Sequence, residues 1–369
     1  MQDDNGREIR EAGMKAWVLH GINDIRYEEQ PVPSPMPDEV IIRVEAAGIC
    51  GSDIPRIYEN GAHRMPLIPG HEFSGTVERT GSNVRDGLEG RRAGVFPLIP
   101  CDRCVPCREG HPEMCRDYDY VGSRRDGAFA EFVAVPASNI IELPDEVSFE
   151  EAAMLEPMAV AVHAMRMAFE DEDEPDRDKK IIICGLGTIG LLLLMFLEER
   201  GCRNVFIIGN RESQRQRAAA FGIDQSRFCD SGKTDVCRWI AEKTGGADVY
   251  FECVGKNECV KNGIDAATPG GRVIVVGNPF TDMTLPRDTY WKILRNQLTV
   301  RGTWNSTFLK EEDPLKNSDD WHYVLKRLAE KRISPSQMIS HRFKPETLDR
   351  GFLMMRDKTE DHCKVMMIR

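Results

Sequence analysis

The sequence predicts a two-domain chain in which a doubly wound parallel α/β sheet is joined to a second domain of short strands. Three observations lead to this prediction. The chain has 369 residues, which is long for one domain and sufficient for two hydrophobic cores. The segment 179–200, KKIIICGLGTIGLLLLMFLEER, reads as a strand, a glycine turn and an apolar helix. The region before it is rich in Gly, Pro and short β-type runs, and it contains four closely spaced cysteines.

The glycine turn has the form Gly185-x-Gly187-x-x-Gly190, with Thr188 and Ile189 opening the helix. In a dinucleotide-binding unit the first glycine makes the turn, the second lets backbone approach a pyrophosphate, and the third packs the helix against the strand. Strand and helix segments then alternate as NVFIIG, RESQRQRAAAFG, VCRWIAEKT, ADVYFECVG, CVKNGIDAA and GGRVIVVG. This alternation predicts a parallel sheet, and a glycine turn in some other α/β fold is the alternative.

The end of the second strand indicates which nicotinamide cofactor is bound. An NAD site normally has an Asp or Glu there, but this chain has Gly209-Asn210-Arg211. The missing carboxylate and the adjacent guanidinium both favour a 2′-phosphate, so NADP is the preferred cofactor and NAD a possible one. The alternative is that Arg211 is a solvated first-turn residue.

The four cysteines follow the spacing Cys101-x2-Cys104-x2-Cys107-x7-Cys115. Four thiolates at this spacing can enclose one tetrahedral zinc ion, and such a closed site braces a loop without taking part in chemistry. Two disulfides or merely crowded thiols are the alternatives. We expect a metal, because the other eight cysteines show no pairing pattern and the chain opens without a secretory signal.

Composition excludes several classes of partner. The formal net charge is −11, and neither nucleic acid nor an anionic membrane attracts an acidic chain. No apolar run is long enough to span a bilayer. We therefore expect a cytoplasmic protein that binds a small molecule.

A second group of metal-capable residues occurs upstream of the glycine turn. Cys50 lies in GICGSD, His71 and Glu72 lie in PGHE, and Glu156 lies in MLEPMAVAVHA. A thiolate, an imidazole and carboxylates from separate loops can form an open zinc site with one position left for substrate. A single His on a turn or an isolated Cys is more often an ordinary structural residue.

Taken together, these motifs resemble the zinc-dependent medium-chain dehydrogenases, the family of alcohol and polyol dehydrogenases. The resemblance extends from Met14 onward and includes GICGSD, PGHE, the four cysteines, Glu156 and GLGTIG in the family's order. The stretches RIYENGAHRMPLIPGHEFSG and YDYVGSRRDGAFAEF are most similar to the galactitol-1-phosphate 5-dehydrogenase branch, near the sorbitol dehydrogenases.

The resemblance implies two zinc ions per chain, one catalytic and one structural. Cys50 and His71 would be direct ligands of the catalytic ion. Glu156 would be a third ligand or hold the ion through water, and Glu72 would approach the ion in some states. A polyol or polyol phosphate would then be oxidised to the ketose as a hydride passes to the nicotinamide.

Two further residues receive catalytic roles from the resemblance. Ser52 matches the hydroxyl that starts a proton relay away from the alcohol, and Asp53 would orient His71. Ordinary turn chemistry in Gly51-Ser52-Asp53 is the alternative for both residues.

A sugar-phosphate substrate requires a cationic clamp, and the loop GSRRDG offers Arg124 and Arg125. Asp126 could instead neutralise one of these arginines in a surface turn. Arg56 and Arg64 are further candidates for this role.

The resemblance also sets the expected domain limits. A GroES-like β-barrel domain would cover residues 14–156, completed by 304–369, and a Rossmann coenzyme domain would cover 157–303. Trp304 and Asn305 could line the substrate pocket, with a core position as the alternative for Trp304. We expect the first domain to open at Met14, with residues 1–13 either disordered or an alternative start, and the acidic segment 170–180 to be a solvated connection. Family members are commonly homodimers or homotetramers.

Two alternative functions stay open. One is a zinc enzyme that acts on a different secondary alcohol or on a cyclitol ketone. The other is a dinucleotide-binding protein without catalytic activity, although a scaffold has no need for an open zinc site.

Overall fold

The structure is a computed structural model that describes residues 13–169, 178–309 and 319–369. These residues fall into two compact units. Unit 1 lies within Met1–Glu156 and Thr307–Arg369, and unit 2 lies within Pro157–Ser306. The expectations for residues 1–12 and for most of the acidic connection fall outside the described residues.

The elements are numbered in chain order. The strands are β1 (Gly13–Gly21), β2 (Asp24–Pro31), β3 (Glu39–Ile49), β4 (Glu72–Thr80), β5 (Arg92–Val95), β6 (Leu98–Ile99), β7 (Asp119–Tyr120), β8 (Phe132–Pro136), β9 (Ile140–Glu142), β10 (Lys180–Cys184), β11 (Asn204–Gly209), β12 (Phe228–Asp230), β13 (Ala247–Glu252), β14 (Ala267–Val275), β15 (Thr299–Gly302), β16 (Ile339–Phe343) and β17 (Lys364–Ile368). The α-helices are α1 (Asp53–Pro55), α2 (Val105–Arg108), α3 (Phe149–Ala153), α4 (Leu155–Phe169), α5 (Thr188–Glu199), α6 (Glu212–Ala220), α7 (Val236–Thr244), α8 (Asn257–Ala266), α9 (Arg287–Arg295), α10 (Asp320–Ala329) and α11 (Leu348–Asp357).

Unit 2 contains a parallel sheet of six strands in the order β12-β11-β10-β13-β14-β15. The order reverses beside β10, as in a doubly wound sheet, and crevices at such reversals bind ligands. Its strands are short β-branched runs, which suit a sheet covered on both faces. The prediction of a parallel sheet from the alternating segments is therefore confirmed.

Helix α5 follows the glycine turn and is apolar on every side. All eight residues of 190–197 in this helix are buried, which explains a sequence without a polar face. Its first turn is thereby fixed at the end of β10, where the glycine turn lies.

Unit 1 is built on a seven-stranded sheet whose path is β16-β17-β3-β4-β5-β9, with β8 also paired to β3. The C-terminal strand β17 pairs antiparallel with β3, so the end of the chain lies beside the strand that leads to Cys50. Strand β4 pairs with the other edge of β3 and begins at Glu72. Residues from three distant parts of the sequence thus meet near one end of β3.

No helix among the described residues combines the length and the apolar character needed to cross a membrane.

Candidate active site and metal centres

The four clustered cysteines converge around helix α2. Their sulfur atoms all lie within 4.8 Å of one another, and the Sγ of Cys104 is 3.4 Å from that of Cys107 and 3.9 Å from that of Cys115. A tetrahedral zinc ion with Zn–S bonds of about 2.3 Å requires sulfur atoms about 3.8 Å apart. These four residues, which include Cys101, therefore fit a closed zinc site.

Electrostatics at this cluster also suits a metal. Backbone N–H groups of Arg116 and Cys107 lower the pKa of Cys104 to about 6. Burial together with the neighbouring thiol of Cys104 raises the pKa of Cys107 to about 12. Without a metal, the neighbouring thiols cannot all ionise together, and a bound divalent cation would stabilise all four as thiolates. None of the twelve cysteines, all of which lie among the described residues, forms a disulfide bond, so the disulfide alternative for this cluster is wrong.

The second cluster lies where β3 ends and β4 begins. Cys50 follows β3, His71 precedes β4, and Glu72 is the first residue of that strand. One candidate ligand atom from each residue lies within 4.8 Å of the others, and both His71 and Glu72 are buried. A thiolate, an imidazole and a carboxylate with this spacing can hold zinc.

Asp53 organises this cluster from the first turn of α1. The side chain is fully buried, and its Oδ2 accepts a hydrogen bond from the backbone N–H of Cys50 at 3.0 Å. Its Oδ1 lies 3.5 Å from Nδ1 of His71 and accepts a hydrogen bond from Nη1 of Arg56. Because Nδ1 faces Asp53, Nε2 is the nitrogen available to a metal.

The two charges of this pair stabilise each other. Burial opposes both charged forms, but Asp53 together with Cys50 raises the pKa of His71 well above its ordinary value. In the same way His71 and Arg56 lower the pKa of Asp53 despite its burial. Ser52 completes the turn, and its Oγ donates to the Sγ of Cys50 at 3.3 Å.

Lys364, the first residue of β17, provides a cation that sequence reasoning missed. Its Nζ pairs with Oε2 of Glu72 and donates to the carbonyl oxygen of Ile49 at 3.2 Å. Both side chains of the pair are 2% exposed. The pair lies over Gly48, where an added Cβ would be 2.3 Å from Oε2 of Glu72 and 2.9 Å from Cε of Lys364. Only glycine leaves room for this pair.

Glu156 lies next to this cluster, in the first turn of α4. It is not one of the three residues whose ligand atoms lie within 4.8 Å, and its Oε1 accepts a hydrogen bond from Oη of Tyr120 at 3.3 Å. The Tyr120 ring also meets the His71 ring edge-on, with the centroids 5.8 Å apart. Burial raises the pKa of Glu156 to about 7, with the positive charge of His71 opposing the rise.

The glycine turn of unit 2 has the backbone form that a dinucleotide site needs. Gly185 has a φ of +97°, and an added Cβ at Gly190 would lie 1.9 Å from the carbonyl oxygen of Gly185. Gly187 is the N-cap of α5, and Thr188 and Ile189 form the start of the helix. The N-terminal end of α5 can therefore present N–H groups to a pyrophosphate.

The end of β11 is occupied by Gly209, which lies close to the side chains of Gln214 and Phe228. An added Cβ there would lie 2.8 Å from Oε1 of Gln214 and 3.0 Å from Cζ of Phe228. The backbone N–H of Asn210 donates to the same Gln214 oxygen at 3.0 Å. Arg211 is exposed at the N-cap of α6.

The structure places the arginines of the GSRRDG loop in other contacts. Nη2 of Arg125 donates to Oε1 of Glu39 at 2.6 Å, and Glu39 is nearly buried. The guanidinium of Arg124 lies 4.4 Å above the centroid of the Tyr118 ring. Asp126, considered as a partner for this arginine pair, instead binds Arg64 at 3.0 Å. Arg125 is thus already neutralised by a carboxylate.

Trp304 and Asn305 lie in unit 2. Trp304 is 54% exposed, so the alternative that it fills the core is wrong. Asn305 has a φ of +53°, and its Nδ2 is buried without a hydrogen bond to any described residue.

Two residues of the site, Lys364 and Tyr120, escaped the sequence analysis. Lys364 begins the run KVMMI, whose first four residues are all buried, so a lysine at a core position was the available signal. Tyr120 stands just before the GSRRDG loop and carries no motif of its own. Strand pairing, which the sequence does not reveal, brings both residues to Cys50 and His71.

Comparison with known families agrees with this description. The alcohol dehydrogenase GroES-like domain matches residues 36–145. The zinc-binding dehydrogenase family matches residues 188–330. The expectation of a GroES-like domain and a Rossmann domain is confirmed.

Individual relatives point in the same direction. Galactitol 1-phosphate 5-dehydrogenase of Escherichia coli K12 is 33% identical over 330 residues, which cover 89% of this chain and 92% of that protein. The crystal structure of galactitol-1-phosphate dehydrogenase from Escherichia coli matches with a TM-score of 0.86 at 31% identity, covering 96% of this chain and 100% of that one. A zinc-binding dehydrogenase from Sinorhizobium meliloti 1021, bound to NADP, matches with a TM-score of 0.85 at 28% identity. The match covers 97% of this chain and 100% of that one.

Proposed function

The chain belongs to the zinc-dependent medium-chain alcohol and polyol dehydrogenase family, and we propose that its own substrate is a polyol phosphate similar to galactitol 1-phosphate. The product is the corresponding ketose phosphate. The observation that carries this proposal is the close grouping of Cys50, His71 and Glu72, with the Ser52 hydroxyl beside the thiol. The similarity to galactitol 1-phosphate 5-dehydrogenase supports the substrate class.

Two zinc ions per chain are part of the proposal. Cys101, Cys104, Cys107 and Cys115 hold the structural ion. Cys50 and His71 hold the catalytic ion, with Glu72 and Glu156 as the adjoining carboxylates. When bound, the zinc ion at Cys50 and His71 would polarise the substrate alcohol as a Lewis acid, and the nicotinamide would accept the hydride.

Side chains of the protein determine where protons lie at this site. Ser52 Oγ lies 3.3 Å from the Cys50 sulfur, so this hydroxyl can form a hydrogen bond with an alcohol that binds at Cys50 and His71. Asp53 Oδ1 lies 3.5 Å from Nδ1 of His71, and this carboxylate favours the tautomer that carries its proton at Nδ1 and binds metal through Nε2.

NADP is the preferred cofactor in this proposal. Gly209 lacks the carboxylate that repels a 2′-phosphate, and Arg211 is exposed at the adjoining helix start. The relative from Sinorhizobium meliloti was crystallised with NADP, which supports the same choice. Gly185, Gly187 and Gly190 hold the pyrophosphate with the first residues of α5.

The cellular setting and assembly state are further parts of the proposal. Twelve cysteines without a disulfide bond suit a reducing compartment such as the cytoplasm. The homodimer or homotetramer expected from the resemblance stays a prediction, which light scattering on the purified protein can test.

A substrate screen tests the proposed function. Purified, zinc-loaded protein is mixed with a panel of polyols and polyol phosphates, each with NAD and with NADP, and the absorbance of the reduced nicotinamide is followed. We expect the fastest reduction with NADP and a hexitol phosphate.

Cys50→Ser serves as the matched control, since it removes one ligand of the proposed catalytic ion and leaves the four clustered cysteines intact. This variant should retain one zinc per chain and lose activity. No reduction with any polyol or polyol phosphate, from protein that binds two zinc ions, would contradict the proposal and favour the cyclitol or ketone alternative.

A further inference from the structure

A cavity in unit 1 lies beside the Cys50 and His71 cluster. Its volume is ≈ 380 Å³, and its lining includes Ser52, Arg56, Asn60 and His63. Ser52 belongs to both places, because its hydroxyl contacts the Cys50 thiol and the residue is part of the cavity lining. A substrate whose alcohol lies at the cluster can therefore extend past Ser52 into this space.

The lining groups have the chemistry of an anion site. They offer a guanidinium, an imidazole, an amide and a hydroxyl, and no carboxylate is among them. A guanidinium and neutral donors around a cavity without acidic groups select for a phosphate or sulfate. Asp53 pairs with Nη1 of Arg56 and lies beside His71, but it is fully buried and is not part of the lining.

Arg56 is held in place for such a role. Its side chain is 16% exposed, and its Nη1 is fixed by Oδ1 of Asp53. Among the described residues, no hydrogen bond uses its Nε or Nη2. A guanidinium anchored at one nitrogen retains donors on the others, and pre-orientation lowers the entropy lost on binding.

The alternative clamp in the GSRRDG loop is less suited to a phosphate. Arg125 donates to Glu39, and Arg124 covers the ring of Tyr118. Arg125 has carboxylates near two of its nitrogens, Glu39 at 2.6 Å from Nη2 and Asp119 at 3.9 Å from Nη1, whereas Arg56 pairs, among the described residues, with Asp53 alone.

We propose that the cavity at Ser52, Arg56, Asn60 and His63 binds the phosphomonoester end of the polyol substrate. This inference rests on the proposed function, because it assigns the phosphate of that same substrate. Arg56 binds the phosphate by charge-assisted hydrogen bonds, and His63 and Asn60 supply further donors. The phosphate thereby fixes which carbon of the polyol faces Cys50 and His71.

Two measurements test the site on the full-length, zinc-loaded protein. The first is calorimetric titration with inorganic phosphate, which needs no turnover. Arg56→Gln should weaken phosphate binding about tenfold to a hundredfold, the effect of losing a charge-assisted hydrogen bond. His63→Gln, which leaves Asp53 and its contacts intact, should weaken binding several-fold.

Arg356→Gln is the matched control. It also removes one guanidinium from this unit, but Arg356 pairs with Asp357 and covers the ring of Tyr58 instead of lining the cavity. Phosphate affinity should not change in this variant. Equal affinity in wild type and Arg56→Gln, or a loss in Arg124→Gln instead, would overturn the proposal.

The second measurement compares kcat/KM for a polyol phosphate with that for the unphosphorylated polyol. Arg56→Gln should lower the ratio at least tenfold, while KM for the dinucleotide, whose own phosphates are the other possible ligand, stays unchanged. A change in the dinucleotide KM alone would place cofactor phosphate in the cavity and overturn the proposal. If no polyol phosphate is oxidised, the proposed function fails, and the calorimetry still decides whether the cavity binds phosphate.

Discussion

Replacing Lys364 by Met isolates the buried ion pair beside the candidate metal site. Methionine is similar in length and apolar, so the change removes the positive charge and leaves the packing of the side-chain stem nearly intact. Glu72 then remains in the interior without the cation that pairs with it.

The exposure of the two side chains determines how much stability the Lys364→Met variant loses. Exposed ion pairs contribute about 0–1 kcal/mol, but both members of this pair are only 2% exposed. Removing one partner of a buried pair typically costs about 3–5 kcal/mol, since the other charge stays buried and uncompensated. The metal-free variant should lose stability in that range. Zinc at Cys50 and His71 would replace the missing positive charge, so the zinc-loaded variant should lose less.

Urea unfolding of both proteins, each measured with zinc and after the same chelator treatment, gives the free energies. The double variant Glu72→Gln with Lys364→Met removes both charges and should regain at least half of the loss. If the metal-free single variant loses less than about 1 kcal/mol in its free energy of unfolding, the reasoning is refuted. The pair would then contribute no more than an ion pair exposed to solvent. A double variant as unstable as the single one would refute it as well.

Three other predictions concern separate sites. Cys104→Ser should release one zinc per chain in a metal assay and keep the other; loss of both ions would show that the sites are not independent. Arg211→Ala should raise KM for NADP and leave KM for NAD unchanged, because it removes a contact to the 2′-phosphate alone; an unchanged preference would place the selectivity elsewhere. Burial raises the pKa of Asp265, but hydrogen bonds from Lys261 and Lys292 outweigh it and hold the pKa below its ordinary value. This carboxylate therefore stabilises the fold above the pKa of the unfolded chain, and the contribution disappears as pH falls through the lower folded pKa. Asp265→Asn should cost about 1–2 kcal/mol at neutral pH, and its unfolding curve should approach that of wild type in acid; a gap that is constant with pH would contradict this.

Local patterns accounted for the parts of the structure that depend on neighbours in sequence. The glycine turn predicted a strand, a turn and a helix, and β10 and α5 lie on either side of it. The four cysteines lie within a segment of 15 residues, 101–115, so their spacing alone predicted that their sulfur atoms lie close together. Short loops leave few alternatives for such groups.

Contacts between segments that are distant in the sequence could not be predicted from sequence patterns. Lys364 reaches Glu72 because β17 and β4 flank β3, and no local pattern specifies that arrangement. The same applies to Arg125, whose partner Glu39 lies on β3, far from the GSRRDG loop. A loop with two arginines looked like a phosphate clamp because the carboxylate that neutralises Arg125 could not be seen.

The transfer of hydride from substrate carbon to nicotinamide is the central chemical claim. The most direct test uses galactitol 1-phosphate carrying deuterium at the carbon to be oxidised, with NADP and zinc-loaded enzyme, followed by mass spectrometry of the reduced nicotinamide. One deuterium atom per reduced cofactor, formed by wild type and not by Cys50→Ser, is the predicted result. Reduced cofactor without deuterium, or equal transfer by Cys50→Ser, would contradict the assignment of Cys50 and His71 as the centre of the reaction.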